Sequence, residues 1–386
     1  MMRSSGVLHL DDYGFDGLEE LGSPKLLVYE ALVEENLDRL RDELEAVAPG
    51  SGLHHLRPHV KTHKSSWTAG LQLRKGVTRF KCSPHELDML LEAGALDIFV
   101  AYPPLRSLAE TIAERVARFP DATISSQIAS TEHAGYLAAA AAARNVHIDV
   151  WVDLDVGGHR TGLPPEEAPA LLREVTSSDA AEHLRVLGLH AYDGHNSSPD
   201  PEARRACSRE TMQRVVTAMR EIERDGAPIS HICAGGTPGF LPCLEELVGR
   251  HRVDASVDVS PGTFVYWDTK YDGLMPGRFR IAALILARVI DRCGADLITL
   301  DLGHKRWAID QGPVERFSVP GLEVVATTEE HTVLRHDGAR RFKIGEPVLI
   351  APHHICPTVN LWESFLRVDR GGRLHEEPLA VDARNR

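Results

Sequence analysis

The chain has 386 residues, of which 43% are hydrophobic, and it carries a formal net charge of -13 at pH 7. It is long enough for one large or two medium domains. The 56 acidic residues outnumber the 43 basic ones, which argues against a general nucleic-acid role, because neutralising phosphates needs a clustered surplus of Lys and Arg.

Three further features concern location. The most apolar run, residues 136–143, is far shorter than the ~20 residues that cross a bilayer. The N-terminal run MMRSSGVLHLDDYGFDG carries acidic residues early and lacks the apolar core of a secretory signal. Six scattered cysteines are typical of reduced thiols rather than of a disulfide framework. We therefore expect a cytoplasmic protein without a membrane span.

Strand and helix signals alternate along the first two thirds of the chain. Leu26–Tyr29 predicts a strand, and residues 30–47 predict a helix with one apolar face. Further short apolar runs predict strands near 57–60, 78–81, 97–101, 122–125, 147–153, 185–190, 229–233 and 254–259. Helical patterns lie between them, at 84–93, 104–117, 130–143, 165–175 and 201–224.

This alternation predicts parallel strands. About eight strands over some 230 residues are what a (β/α)8 barrel requires. We therefore predict an α/β fold with a TIM-like barrel at residues 26–275. An open doubly wound sheet is the alternative, and it has less support because no GxGxxG follows the first strand.

After about residue 275 the pattern changes to short β-rich runs without long helices between them. The runs lie at 281–290, 297–300, 322–326, 342–344 and 348–350. Glycine and proline in Leu274-Met-Pro-Gly mark the junction. We predict a C-terminal β-domain of residues 276–386, to which residues 1–25 contribute.

The run Arg57-Pro-His-Val-Lys-Thr-His-Lys64 places five basic side chains behind a strand signal. Lys61 falls at the carboxyl end of that strand, where α/β barrels present their chemistry. A lysine whose amine is partly neutral can form a Schiff base with an aldehyde. The alternative is a basic surface loop.

The same run resembles the lysine motif of the fold-type III pyridoxal phosphate (PLP) enzymes of the D-threonine aldolase and D-serine dehydratase family. Later segments resemble this family in the same order, over roughly residues 25–365. The resemblance implies an alanine racemase-like barrel, PLP bound to Lys61 as a Schiff base, and a homodimer. It also implies D-configured β-hydroxy-α-amino acids as substrates.

Two glycine-containing loops follow the predicted seventh and eighth strands, Cys233-Ala-Gly-Gly-Thr-Pro and Ser260-Pro-Gly-Thr-Phe-Val-Tyr. Barrels often bind phosphate there, because glycine lets backbone N–H groups approach an anion. Simple turns are the alternative. The resemblance implies that the cofactor contacts are Gly235, Gly236, Thr237, Gly262, Thr263 and Tyr266.

Two segments after the fifth and sixth strands add candidate residues. The resemblance implies that Arg160 faces the cofactor ring, where a cation would weaken the ring as an electron sink; a salt bridge to Asp153 or Asp155 is the alternative. In Gly188-Leu-His-Ala-Tyr-Asp-Gly-His, Tyr192 is a candidate ring contact. His195 is a candidate general base because imidazole titrates near neutral pH, with a capped turn as the alternative.

The segment Ala351-Pro-His-His-Ile-Cys-Pro-Thr-Val-Asn suggests a metal site. His354 and Cys356, at i and i+2, would point to one side of an extended strand and could hold one metal with an open coordination position. His353 is one residue out of this spacing. A buried cysteine and an exposed histidine are the alternative. The resemblance implies a divalent metal (Mn, Zn or Mg) at this pair.

Two reactions fit these residues. In an aldolase, His195 or a metal-bound water removes the β-hydroxyl proton and the Cα–Cβ bond breaks. In a dehydratase, Lys61 removes the Cα proton and the metal helps hydroxide to leave. His-x-Cys is familiar from dehydratases of the family, but the overall match favours the aldolase. A PLP-carrying protein without turnover is a third hypothesis, and the separate metal pair argues against it.

Overall fold

The computed structural model describes residues 13–311 and 316–384, so residues 1–12 of the predicted contribution from 1–25 lie outside its description. The chain divides into two compact units. One, the barrel unit, comprises Leu40–Lys61 and Ala69–Gly262. The other, the β-unit, comprises Thr62–Thr68 together with the described residues up to Arg39 and from Thr263 onward. The predicted domain bounds stay a prediction. Within the described part of the chain, no helix is long and apolar enough to cross a membrane.

The first predicted elements form where the apolar pattern places them. Strand β1 (Lys25–Tyr29) is buried from its second residue onward. Helix α1 (Glu30–Val47) follows directly, with the bounds that were predicted. Its buried positions, Val33, Leu37, Leu40 and Leu44, recur every three or four residues and so form one face.

Seven parallel strands form the sheet of the barrel unit, in chain order. They are β2 (Phe80–Cys82), β3 (Asp97–Val100), β4 (Thr123–Ile128), β5 (Ile148–Asp153), β6 (Leu184–Ala191), β7 (His231–Ala234) and β8 (Ser256–Val259). The segment 56–59 closes the ring, because Leu56 forms a parallel bridge to Val259 in β8 and His59 forms one to Lys81 in β2. It occupies the position predicted for the first of the eight strands.

Helices follow most of these strands. They are α2 (Ser66–Arg74), α3 (Leu87–Glu92), α4 (Arg106–Arg118), α5 (Thr131–Arg144), α6 (Ala168–Thr176), α7 (Pro201–Arg224) and α8 (Phe240–Leu244). Side chains that cap the first turn fix two of the starts, since Ser130 accepts from the N–H of His133 and Asp200 accepts from the N–H of Glu202. The predicted barrel is confirmed, and the open doubly wound sheet is not what forms.

The interior of the barrel is partly ionic. Arg57, the first residue of the basic run, is 1% exposed and bonds Asp258 (2.7 Å) and Asp97 (2.6 Å). Arg79 bonds the second oxygen of Asp258 at 2.6 Å. Buried charges persist only when they are paired in this way. Arg57 is therefore a structural residue of the barrel.

The β-unit contains a nine-stranded sheet in which β1 is a central strand. β1 pairs antiparallel with β9 (Ala283–Asp291) and parallel with β15 (Ser364–Val368). The remaining strands are β10 (Leu297–Leu300), β11 (Arg316–Phe317), β12 (Glu323–Thr327), β13 (Thr332–Arg335), β14 (Pro347–Ala351) and β16 (Leu374–Ala380). The predicted C-terminal β-domain is confirmed.

Two local predictions in this unit are wrong. Residues 342–344 form no strand, because they lead into a turn at Gly345, whose φ of 88° favours glycine. The segment around Cys356 is not extended. It forms the short helix α10 (Ile355–Asn360), preceded by helix α9 (Thr269–Leu274) earlier in the chain. Pro357 falls in the first turn of α10, where a missing N–H costs nothing.

Candidate active site

Lys61 lies in a 3₁₀ turn, Val60–Thr62, directly after the segment that closes the barrel. It is half-buried, and its backbone N–H donates to Nδ1 of His59 at 3.3 Å. Its Nζ lies 5.8 Å from the centroid of the Tyr192 ring. The turn thus directs the amine toward the residue that follows β6, as a reactive lysine at the carboxyl ends of barrel strands requires.

Three cationic side chains surround the Tyr192 ring. Lys61, Lys81 and Arg160 lie 5.8, 5.2 and 5.1 Å from its centroid, all within the range of cation–π attraction. The structure therefore brings together three of the predicted residues, Lys61, Arg160 and Tyr192. It adds Lys81, which the sequence pattern did not single out.

The neighbouring carboxylates are engaged elsewhere. Asp153 accepts hydrogen bonds from Gln127 (2.9 Å) and contacts His190 (2.7 Å). Asp155 accepts from the backbone of Gly157 and His159, and contacts the His159 ring. Over the described residues, Arg160 makes no ion pair with either aspartate. The surplus of positive charge fits a cofactor that carries a phosphate and a phenolic oxygen.

Lys81 and His190 form a buried polar contact beneath the ring. Nζ of Lys81 lies 3.3 Å from Nε2 of His190, whose Nδ1 lies 2.7 Å from Asp153. Burial, with smaller contributions from Lys61 and Arg160, lowers the pKa of Lys81 to about 8. Burial and the nearby Lys81 also lower the pKa of His190, which favours its neutral form.

The two predicted phosphate loops meet in the barrel unit. The N–H of Gly262 donates to Oγ1 of Thr237 at 3.3 Å. The N–H of Gly236 donates to the buried Asp193 at 2.6 Å, so in this structure the loop already binds a carboxylate. A Cβ on Gly236 would come within 2.8 Å of the Tyr192 ring. Gly235 has a φ of 74°, which favours glycine.

His195 is exposed at the end of the segment after β6. Its Nε2 lies 3.8 Å from Sγ of Cys207. The ring packs over Gly157, because a Cβ there would come within 3.0 Å of Nε2. The loops after β5 and β6 therefore meet at this imidazole, and its role as general base stays a prediction.

Thr263 and Tyr266 belong to the β-unit. Tyr266 is completely buried, and its hydroxyl hydrogen-bonds Oγ1 of Thr68 at 2.8 Å. Thr263 lies 3.7 Å from Sγ of Cys356. These contacts give both residues partners within the unit, and their contact with a cofactor stays a prediction.

The predicted metal pair comes together although its backbone is helical. His354 precedes α10 with an extended backbone, and its side chain is hydrogen-bonded to that of Cys356. Burial lowers the pKa of His354, but Cys356 and Asp310 raise it by more, so the net shift is upward. Oγ1 of Thr62, the residue after Lys61, lies 3.2 Å from the Cys356 sulfur.

An outer carboxylate orients His354. Its Nδ1 lies 2.8 Å from Asp310 and 3.2 Å from Nε2 of Gln311, which leaves Nε2 of His354 for a metal. Within residues 13–311 and 316–384, no three His, Cys, Asp or Glu side chains are grouped to hold a metal. An ion at this pair would complete its shell with water or substrate, as in an open catalytic site.

The second lysine of the basic run, Lys64, is structural. Its Nζ donates to Asn360 at 2.8 Å and to the carbonyl of Ala383 at 3.3 Å. We expect Lys64→Met to lower the free energy of unfolding by about 1.5–3 kcal/mol, because it removes buried hydrogen bonds of a charged group. Urea unfolding would measure this, and Lys343→Met, at an exposed lysine, should change stability by no more than about 0.5 kcal/mol. Equal stability of the two variants would contradict the assignment.

Sequence reasoning missed several polar residues of these clusters. Lys81 carried a visible signal, a lysine between Phe80 and Cys82 in a predicted buried strand. His190 likewise sits within an apolar strand run. Asp310 carried no such signal, because its partner lies 44 residues further along the chain.

Comparison with known proteins identifies relatives over most of the chain. A family model described as "Alanine racemase, N-terminal domain" matches residues 34–269, and one described as "Putative serine dehydratase domain" matches residues 282–368. D-threonine aldolase from Arthrobacter sp. is 27% identical over 370 residues, covering 92% of this chain and 91% of the relative. D-threo-3-hydroxyaspartate dehydratase from Delftia sp. is 26% identical over 371 residues, covering 89% and 93%.

A solved structure, D-threonine aldolase from Filomicrobium marinum, superposes with a TM-score of 0.83 at 25% identity. The match covers 95% of this chain and 97% of that one. The first family model alone spans more than half of the chain. The protein therefore belongs to the alanine racemase N-terminal domain family of PLP-dependent enzymes, and within it to the lyases.

Proposed function

We propose that the protein is a PLP- and divalent-metal-dependent aldolase that cleaves or forms D-β-hydroxy-α-amino acids such as D-threonine. The observation that supports it most is the position of Lys61, which shares the Tyr192 ring with two further cations. A lysine amine set in a cationic site suits an anionic aldehyde cofactor. The relatives named as aldolases support the choice of reaction.

Each residue then has a proposed task. Lys61 holds the cofactor, and Arg160 and Tyr192 orient its ring. Thr237, Gly262 and the glycines after β7 accommodate the phosphate, with Thr263 and Tyr266 as further contacts. When bound, PLP supplies an electron sink for the pair of electrons left at Cα when a bond there breaks.

We assign the metal to His354 and Cys356. An imidazole and a thiolate suit zinc best, and the family resemblance also implies manganese or magnesium as candidates. Bound there, a divalent ion would supply a Lewis acid for the β-hydroxyl of the substrate. Asp310 would keep His354 in the tautomer that leaves Nε2 free to coordinate.

His195 is the proposed general base for the hydroxyl proton. Replacing it with Gln should lower kcat for D-threonine cleavage by about 10²–10⁴-fold, because proton transfer by a positioned side chain contributes that much. Binding of PLP, followed by absorbance, should stay unchanged. The matched variant His85→Gln alters an exposed histidine outside the clusters and should retain wild-type kcat. A wild-type kcat in the His195 variant would remove it from the mechanism.

A dehydratase acting on D-serine or 3-hydroxy-D-aspartate is the second candidate. One residue favours it, because Cys356 gives the pair the His-x-Cys form. In this reaction Lys61 would move the Cα proton. The products would be a 2-oxo acid and ammonia rather than glycine and an aldehyde.

Product analysis with D-threonine separates these possibilities. Glycine and acetaldehyde indicate the proposed aldolase, whereas 2-oxobutanoate and ammonia indicate the dehydratase. The same assay with 3-hydroxy-D-aspartate tests the second substrate class. Protein that is loaded with PLP and metal but forms neither set of products would instead support the non-catalytic carrier.

We also propose a cytoplasmic homodimer, as the family resemblance implies. Light scattering of the purified protein would test the oligomeric state, and a monomer with full activity would contradict it.

A further inference from the structure

Lys81 is a buried lysine that has more hydrogen-bond donors than its surroundings in the described chain use. It lies in the middle of β2 and is 2% exposed. An ammonium group has three N–H donors. In the described part of the chain, its one hydrogen-bond partner is Nε2 of His190, at 3.3 Å. Two donors of a nearly inaccessible cation therefore remain for a bound molecule.

The contact with His190 holds Lys81 in place rather than neutralising it. Nδ1 of His190 faces Asp153 at 2.7 Å and so carries the proton, which makes Nε2 the acceptor for Lys81. Asp153 also binds Gln127; its charge favours the ammonium form of Lys81, but it makes no direct hydrogen bond to it. With a pKa of about 8, Lys81 is charged at pH 7 by about ten to one. A buried ammonium that makes no direct bond to an anion is stabilised when a ligand supplies one.

Lys81 and Lys61 come from neighbouring segments of the barrel. The bridge between His59 and Lys81 sets the register between the closing segment and β2, two residues before Lys61. Both amines approach the Tyr192 ring, at 5.8 Å for Lys61 and 5.2 Å for Lys81. Once the Lys61 nitrogen is bonded to a cofactor, Lys81 is the lysine ammonium that remains at this ring.

We infer that Lys81 binds an anionic oxygen of the molecule that Lys61 holds, with His190 and Asp153 as positioning residues. This inference rests on the proposed function. The oxygen has two possible sources with the same chemistry, the phenolic oxygen of the PLP ring and the α-carboxylate of the amino acid. Both are anions that a buried ammonium binds through charge-assisted hydrogen bonds.

The test compares wild type with Lys81→Met, which keeps most of the length of the side chain and removes the charge, and with Lys81→Arg. Lys75→Met provides the same change at a lysine outside the cluster. Three quantities are measured for each protein. They are the dissociation constant for PLP, the visible spectrum without amino acid, and the preference for D-threonine over 1-amino-2-propanol, which lacks the carboxylate, expressed as the ratio of the two kcat/KM values. Thermal unfolding checks that each variant is folded.

A ring-oxygen partner predicts that Lys81→Met binds PLP about 10- to 100-fold more weakly and has a shifted visible spectrum. A carboxylate partner predicts an unchanged spectrum but a preference for D-threonine reduced by about the same factor. In either case Lys81→Arg should show a smaller change than Lys81→Met, because it keeps a positive charge. Lys75→Met should match wild type. If Lys81→Met does not fold, the same comparisons are made with Lys81→Arg, in which the displaced charge should still alter one of the two quantities.

A folded Lys81→Met protein with wild-type PLP affinity, spectrum and preference would overturn the inference and leave the proposed function intact. Lys81 would then be a buried partner of His190 only. Wild-type protein that takes up no PLP would overturn the proposed function itself, and this inference with it. The two failures are therefore distinguishable.

Discussion

Lys61→Ala should give a colourless protein that does not retain PLP and cleaves D-threonine at least ~10³-fold more slowly than wild type. In the proposed function the amine at this position forms the covalent link to the cofactor, and acid–base catalysis by such a group alone contributes about 10²–10⁴-fold. The lysine follows the segment that closes the barrel and points at Tyr192, so the alanine removes the one group there that can form the link from this turn. Absorbance after PLP addition and gel filtration measures the first effect, and product formation measures the second.

The control and the contradicting outcome both concern other lysines. Lys75→Ala should load PLP and turn over like wild type. If Lys61→Ala keeps the colour, the neighbouring Lys81 is the linking residue instead, since its amine lies 5.2 Å from the same ring. Borohydride reduction of wild-type protein followed by peptide mass analysis identifies the modified lysine directly. Modification of a lysine other than Lys61 would refute the central assignment.

The order of elements in the barrel could be predicted from the sequence because its strands are buried on both faces. Such strands appear as short continuous apolar runs, and amphipathic helices separate them. In the sequence, strand β1 is an apolar run like those of the barrel strands, but it joins the nine-stranded sheet of the β-unit. Its partners, β9 and β15, begin more than 250 residues further along the chain, and pairing over that distance leaves no local pattern in the sequence.

The residues of the candidate site also divide into those that the sequence predicts and those that it does not. Residues that follow strand ends, such as Arg160 and Tyr192, were predictable because the carboxyl ends of parallel strands meet at one edge. Lys81 was not predicted, because a side chain inside a strand is expected to be core. His354 and Cys356 were expected to meet on an extended strand, and they meet at the short helix α10 instead; their role as metal ligands stays a prediction. The start of α10 is fixed by Asp268, which accepts from the N–H of Ile355 at 3.2 Å.

The basic run also shows why composition alone does not assign roles. Of its charged side chains, Arg57 binds two aspartates inside the barrel, Lys64 binds Asn360 and the Ala383 carbonyl, and Lys61 is left facing Tyr192. Residues of the same type, within eight positions, therefore differ because their long-range partners differ. Those partners become visible only in the folded structure.

Removal of the metal should abolish turnover and leave the PLP colour unchanged. Dialysis against a chelator tests this directly, and re-addition of Zn²⁺, Mn²⁺ or Mg²⁺ to separate samples shows which ion restores product formation. The colour should persist because the proposed cofactor link at Lys61 involves none of the proposed metal ligands. Full activity in metal-free protein would remove the metal from the mechanism.

A graded series of variants assigns the ligands. Cys356→Ala removes a proposed ligand and should weaken metal binding by more than ~100-fold, whereas Asp310→Asn removes only the orienting partner of His354 and should weaken it by about 10- to 100-fold. Cys293→Ala, at an exposed cysteine, should bind metal like wild type. Metal content after dialysis against a competing chelator ranks the variants by their affinity for the metal. If Asp310→Asn lost more metal than Cys356→Ala, Asp310 itself would be a ligand and the cysteine would serve the structure of α10, where its sulfur already contacts Thr62 and Thr263.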